Sequence, residues 1–254
     1  MPNQHGDFVW YELLTSDAAA AKTFYDTVVG WDIEATASNP MNYRMIRSGN
    51  GHAGGVMELN AQMREGGAKP TWLGYVGVDD VDATVAKAES LGGKAMMPPF
   101  DLSGVGRIAM IADPQGIPLY VMRGESDEES TAFSPDEPGR GAWNELSTTD
   151  LESARSFYPE LFGWSLGDVM PMGEMGDYQF IEQSGRMIGA MMKARSGGQP
   201  SWNYCFRTDS VDRGHEAIES GGGTVTFGPA EVPGGDRVVQ AFDPEGAAFM
   251  IVSK

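Results

Sequence analysis

Along this chain the spacing of apolar positions switches between strand-like and helix-like in an order that recurs. Phe8 to Thr15 is rich in aromatic and apolar residues and runs into a cap signal, which predicts a strand. Ser16-Asp17 then opens a helix with a carboxylate at its positive end. Ala21, Phe24, Tyr25 and Val28 fall at helical spacing, and Gly30 stops the helix. Short strands are expected over 31–35, 43–47 and 53–59, so the order is βαβββ. The same order follows at once. A strand over 72–78 leads to a helix from Asp80, with Val81, Val85 and Ala88 on one face and Gly92-Gly93 at its end. Strands over 94–97, 107–111 and 117–122 complete it, the last two joined by a DPQG turn at 113–116.

A longer repeat lies over this one. WYELLTSDAAAAKTFYDTVVGW, from Trp10 to Trp31, returns 133 residues later as WNELSTTDLESARSFYPELFGW, from Trp143 to Trp164. Downstream, Pro70-Thr71-Trp72 matches Pro200-Ser201-Trp202, Arg107 matches Arg237, and DPQG matches DPEG at 243–246, all at an offset of 130. The chain therefore reads as α+β, with four βαβββ modules paired into two tandem domains over 1–123 and 141–254. The segment 124–140 between them is acidic, holds two prolines and lacks apolar periodicity, so a solvated linker is expected there.

The module order, the FYxxxxGW helix end, the VDDVDATVAKAESLGGK segment and the GRxxxxxDPxG tail resemble the vicinal oxygen chelate superfamily of glyoxalases, bleomycin-resistance proteins and extradiol dioxygenases. The resemblance is to its two-domain glyoxalase-like members. It implies U-shaped, mixed sheets around a cavity that often holds a divalent metal. In such enzymes the ligands are usually His, Gln and Glu on the first and last strand of each module. The corresponding positions here are Trp10, Met57, Leu73, Tyr120, Trp143, Met192, Asn203 and Met250. Only Asn203 offers an oxygen suited to a hard metal, and such sites need three or four O or N donors. No metal or other cofactor is therefore expected. His5 precedes the first strand, His52 alternates away from the cavity if Met57 faces it, and His215 replaces Val85 on a helix. A slip of one strand step would bring Glu58 into play.

If Trp10 faces the cavity, so does Glu12, and Trp143 and Glu145 repeat that arrangement. Two readings of the glutamates stand. Each contacts a ligand or acts as a general base, its pKa raised in an apolar cleft, or each is paired structurally with Arg107 or Arg237. On the strand over 201–207, Asn203, Cys205 and Arg207 face inward, which makes the second cavity the more polar and the favoured one. Cys205 is read as a small buried hydrophobe unless a cationic neighbour activates it. The sixteen methionines, including those of MPMGEM at 170–175, suit either core filling or an adaptable apolar pocket.

Net charge is −18, without a Lys/Arg cluster, which argues against nucleic-acid or anionic-membrane partners and favours a cationic ligand. One cysteine, no signal-like N-terminus and no long apolar run suggest a soluble cytoplasmic protein, monomeric or homodimeric. The resulting expectation is a metal-free protein that binds a small apolar or aromatic molecule, as in drug or metabolite sequestration. Its ligand-contacting residues would be Trp143, Glu145, Asn203, Cys205 and Arg207, with Trp10, Glu12 and Tyr120 in the first domain. The rival readings are a metal-dependent lyase, isomerase or dioxygenase, and a metal-free acid/base enzyme with Glu145 as its catalytic group.

Overall fold

The computed structural model describes residues 3–37, 42–195 and 197–254. The first module comprises β1 (Phe8–Thr15), α1 (Ala18–Val28), β2 (Asp32–Ile33), β3 (Arg44–Ser48) and β4 (Gly51–Glu58). A short helix that the spacing does not predict, α2 (Ala61–Glu65), leads to the second. That module comprises β5 (Thr71–Gly77), α3 (Val81–Ser90), β6 (Lys94–Leu102), β7 (Gly106–Ala112) and β8 (Pro118–Gly124). The third holds β9 (Gly141–Thr148), α4 (Leu151–Phe162), β10 (Ser165–Pro171), β11 (Asp177–Gln183) and β12 (Arg186–Lys193), with a 3-10 turn at Gly173–Met175. The fourth holds β13 (Ser201–Arg207), α5 (Val211–Ser220), β14 (Thr224–Glu231), β15 (Arg237–Phe242) and β16 (Ala248–Ser253).

Each sequence repeat builds one mixed eight-stranded sheet, in the orders β2-β3-β4-β1-β5-β8-β7-β6 and β10-β11-β12-β9-β13-β16-β15-β14. Within a module the first and last strands run parallel, as in β1–β4 and β9–β12, and the others pair antiparallel. The parallel strands approach closely at a repeated glycine. A Cβ on Gly54 would collide with the Tyr11 carbonyl oxygen, and one on Gly189 with that of Asn144.

The caps are those expected. Asp17 accepts from the amides of Ala19 and Ala20 at 2.9 Å, and Asp80 from that of Ala83 at 2.9 Å. Gly163 ends α4 in the left-handed conformation, with φ +71°. β6 runs on to Leu102, past the Pro98-Pro99 pair that had suggested a stop at 97. It lies at the sheet edge, where a missing N–H costs no ladder bond.

The chain forms two compact units that do not follow the halves of the sequence. The first unites residues 1–9, 74–130 and 143–203, and the second 10–73, 131–142 and 204–254. The FY and DPxG motifs explain how modules from opposite repeats are joined. In the first unit Tyr158 of α4 donates to Asp113 Oδ2 of the DPQG turn at 3.0 Å and accepts from Trp202 Nε1 at 3.1 Å. In the second, Tyr25 of α1 donates to Asp243 Oδ2 of the DPEG turn at 3.0 Å and accepts from Trp72 Nε1 at 2.9 Å. Both aspartates also accept two backbone amides of their own turn through Oδ1. Burial raises the pKa of each against these donors.

The segment between the repeats is not the solvated linker that its composition suggests. Residues 131–142 belong to the second unit as a packed strap. Gly139 accepts from Trp31 Nε1 at 2.8 Å, Pro138 accepts from Ser48 Oγ at 3.1 Å, and Ala132 and Arg140 are buried.

Candidate functional site

Burial along the third module separates two faces. On β9, Ala142, Asn144, Leu146 and Thr148 are buried, whereas Trp143, Glu145 and Ser147 are half-buried. On β11, Gln179, Ile181 and Gln183 are buried, whereas Tyr178, Phe180 and Glu182 are half-buried. The register sets Glu145 level with Ala190 and Ser147 level with Met192, and these two lie level with Phe180 and Tyr178 in turn. The half-buried residues therefore share one face, opposite the face of inward-packed residues.

A chain of hydrogen bonds crosses this face. Trp143 Nε1 donates to the Tyr178 hydroxyl at 2.9 Å, and that hydroxyl donates to Glu145 Oε2 at 2.8 Å. Phe180 stands edge-on to both aromatic partners, with centroids 6.0 Å from Trp143 and 5.5 Å from Tyr178. Glu145 Oε1 takes no hydrogen bond from the described residues, so the chain ends on an available carboxyl oxygen. Burial raises the pKa of this carboxyl above its ordinary value, against the lowering effects of the Tyr178 hydroxyl and the Arg195 charge. Tyr178 was not singled out from the sequence, yet it had a signal: Asn42-Tyr43 returns as Asp177-Tyr178 at an offset of 135.

The first module repeats part of this arrangement in a more closed form. Trp10 Nε1 donates to the Tyr43 hydroxyl at 2.7 Å, and Glu12 is only 2% exposed. Gly55 makes room for Tyr43, since a Cβ there would collide with the phenol ring. The register of β3 and β4 shifts between Ile46 and Arg47, which breaks the alternation that would turn His52 away. Its ring instead lies 6.4 Å from that of Trp10. In the second module Tyr75 and Tyr120 stack at 4.2 Å and are both buried, so Tyr120 fills space beside its neighbour.

Several expected roles are reassigned. Arg107 bonds Asp82 through Nε at 2.5 Å and Asp101 at 2.9 Å, and Arg237 bonds Asp212 at 2.7 Å. These arginines tie strands to the starts of α3 and α5 and do not pair with Glu12 or Glu145. Arg207 is buried against the strap, where it donates to the Pro135 carbonyl and to Asp236 Oδ2 at 2.6 Å. It belongs to the second unit, as does the buried Cys205, whereas Trp143, Glu145, Tyr178 and Asn203 belong to the first. Asn203 is half-buried, and its Oδ1 accepts from Ser201 Oγ at 3.4 Å. His215 is half-buried on α5. Glu58 accepts from Ala18 N at 3.2 Å and Asn42 Nδ2 at 2.8 Å, anchoring the start of α1.

Among the described residues no three His, Cys, Asp or Glu side chains come together as a metal would require. The only such residue on the open face of β9 is Glu145, one of whose oxygens already holds Tyr178. This donor set does not fit a divalent metal. Among the described residues no helix is long and apolar enough to cross a membrane.

Replacing Glu145 by Gln tests its titration directly. A raised folded pKa gives a stabilising contribution that is complete below the unfolded carboxylate pKa and is lost as pH rises through the folded value. The stability of Glu145→Gln relative to wild type is therefore expected to increase across that window. Urea unfolding at a series of pH values measures it, and a difference independent of pH would contradict the assignment.

Comparison with known proteins agrees with this fold. The family described as the Glyoxalase/Bleomycin resistance protein/Dioxygenase superfamily matches residues 7–121 and 142–251. "Putative glyoxylase CFP32" of Mycobacterium tuberculosis is 31% identical over 249 residues, covering 96% of this chain and 93% of the relative. The anthracycline biosynthesis protein DnrV of Streptomyces peucetius is 28% identical over 255 residues, covering 96% and 91%. Among solved structures, the Mn(II)-bound glyoxalase from Novosphingobium aromaticivorans superposes with a TM-score of 0.68 at 17% identity, over 98% of this chain and 82% of that one. This chain belongs to the glyoxalase/bleomycin resistance protein/dioxygenase superfamily.

Proposed function

We propose that this protein binds a small aromatic molecule on the open face of its third module, without a metal. The observation that carries this reading is the Trp143–Tyr178–Glu145 chain, which fixes an aromatic wall and ends on an available carboxyl oxygen. An indole and the edge-on Phe180 offer flat apolar area, and Glu145 supplies the single polar anchor that orients a ligand in such a site. The relatives' names include a glyoxylase and an anthracycline biosynthesis protein, which is compatible with a small-molecule role of either the binding or the catalytic kind. A thermal-shift screen with small aromatic compounds tests the proposal. Hits are expected to stabilise the wild type and to lose that effect in Trp143→Ala. No hits, or hits that Trp143→Ala leaves unchanged, would refute it.

One observation favours a second reading, in which Glu145 transfers a proton. Its raised pKa moves it toward the range useful for general acid/base work. Turnover of a bound compound that disappears in Glu145→Gln would establish this version, and turnover that persists would exclude it.

A further inference from the structure

Beside the open face lies a recess of about 360 Å³, lined by Glu174, Met175, Lys193, Ala194 and Arg195. Its walls are the 3-10 turn at Gly173–Met175 and the chain leaving β12. Two cations face one carboxylate there, in a chain whose acidic side chains outnumber basic ones 36 to 18. Neither Lys193 nor Arg195 makes an ion pair or hydrogen bond with a described residue. The basic residues nearest in role behave differently: Arg155 bonds Glu152 and Asp177, and Arg207 bonds Asp236. Met175 adds a 36% exposed, adaptable apolar side chain to the wall. The recess adjoins the hydrogen-bonded chain electrostatically, because the Arg195 charge acts on Glu145.

We infer that the recess selects an anionic group, so that the ligand is an aromatic acid whose ring lies on the Trp143–Phe180 wall and whose anion is held by Lys193 and Arg195. This rests on the aromatic-binding reading above and adds a sign to it, opposite to the one that net charge suggests. The overall field repels anions at long range, but screening confines that field to about 10 Å at 0.1 M salt. At contact the local pair decides. Guanidinium and ammonium donors form charge-assisted bonds with a carboxylate, and an isosteric amide cannot replace the ionic part.

The test uses 1-naphthoate and neutral 1-naphthamide, with binding to the full chain measured by calorimetry at low salt. The naphthoate is expected to bind at least tenfold more tightly than the amide, and Lys193→Gln/Arg195→Gln should remove that preference while leaving the amide's affinity unchanged. Equal affinities in the wild type, or a preference that survives the double substitution, would overturn the inference and leave the aromatic site standing. Failure of both probes to bind would overturn the inference together with the reading on which it rests. Circular dichroism of the double variant distinguishes a lost preference from lost folding, and Lys193→Arg is expected to retain the preference.

Discussion

Tyr158→Phe is expected to destabilise this protein by about 3 kcal/mol, although it removes one oxygen atom. The phenol is 1% exposed and stands between two groups that need it. Without the hydroxyl, Trp202 Nε1 loses its acceptor and Asp113 Oδ2 loses its donor, both in the core. A buried polar group stripped of its partner carries the full cost of its desolvation, about 1–3 kcal/mol each. For a chain of this size the midpoint of thermal unfolding should fall by roughly 10 °C. The deficit has a pH dependence. Burial already holds the Asp113 pKa above its ordinary value, and the Tyr158 hydroxyl opposes that shift. Stability from a group with a raised folded pKa is complete in acid and is lost as pH rises, so removing the donor enlarges the loss toward neutral pH. Tyr158→Phe should accordingly be closer to wild type in acid than near neutrality. Calorimetry at two pH values checks both statements, and a shift of the midpoint below about 2 °C at neutral pH would show that the triad carries little stability.

The second large effect is expected at Arg207. Arg207→Met should cost about 3 kcal/mol, because it leaves the Asp236 carboxylate without its cation and the Pro135 carbonyl without its donor. The strap is held at this side chain and at Trp31, Ser48 and the backbone of Arg207 itself. Limited proteolysis is therefore the informative measurement. Cleavage within 124–140 should accelerate in Arg207→Met before global unfolding does, and adding Asp236→Leu should restore most of the stability. An unchanged digestion pattern would show that the strap is secured elsewhere. A buried pair that is broken on one side is worse than one replaced on both.

The two sites also show which features the sequence discloses. Strand and helix periods, the aspartate caps and the closing glycines are local, so the four modules and their order could be read directly. The FY and DPxG motifs were visible as recurring letters, but their meaning lies in bonds between residues 45 or 218 positions apart. Arg107 and Arg237 recur for the same kind of reason and proved to serve Asp82 and Asp212, which are also repeated. Arg207 looked like a cavity residue because alternation assigns a face and says nothing of what covers it. The strap escaped notice because carbonyl acceptors such as those of Pro135 and Gly139 leave no mark on composition. Of the candidate site, Trp143 and Glu145 were legible by repeat and alternation. Tyr178, which connects them, was overlooked because it lies two strands away, on β11.

The mismatch between sheets and compact units bears on how such a chain can be divided. Each sheet is encoded by one half of the sequence, whereas each compact unit draws residues from both halves. A fragment ending near residue 123 would carry Tyr25 without Asp243 and Asp113 without Tyr158, and would expose the side of each core that the other fragment completes. Gene duplication supplied two copies of one text, but neither copy is now a molecule. The boundary at which the text repeats is therefore a place where the chain could be nicked and reassembled, not a place where it could be shortened.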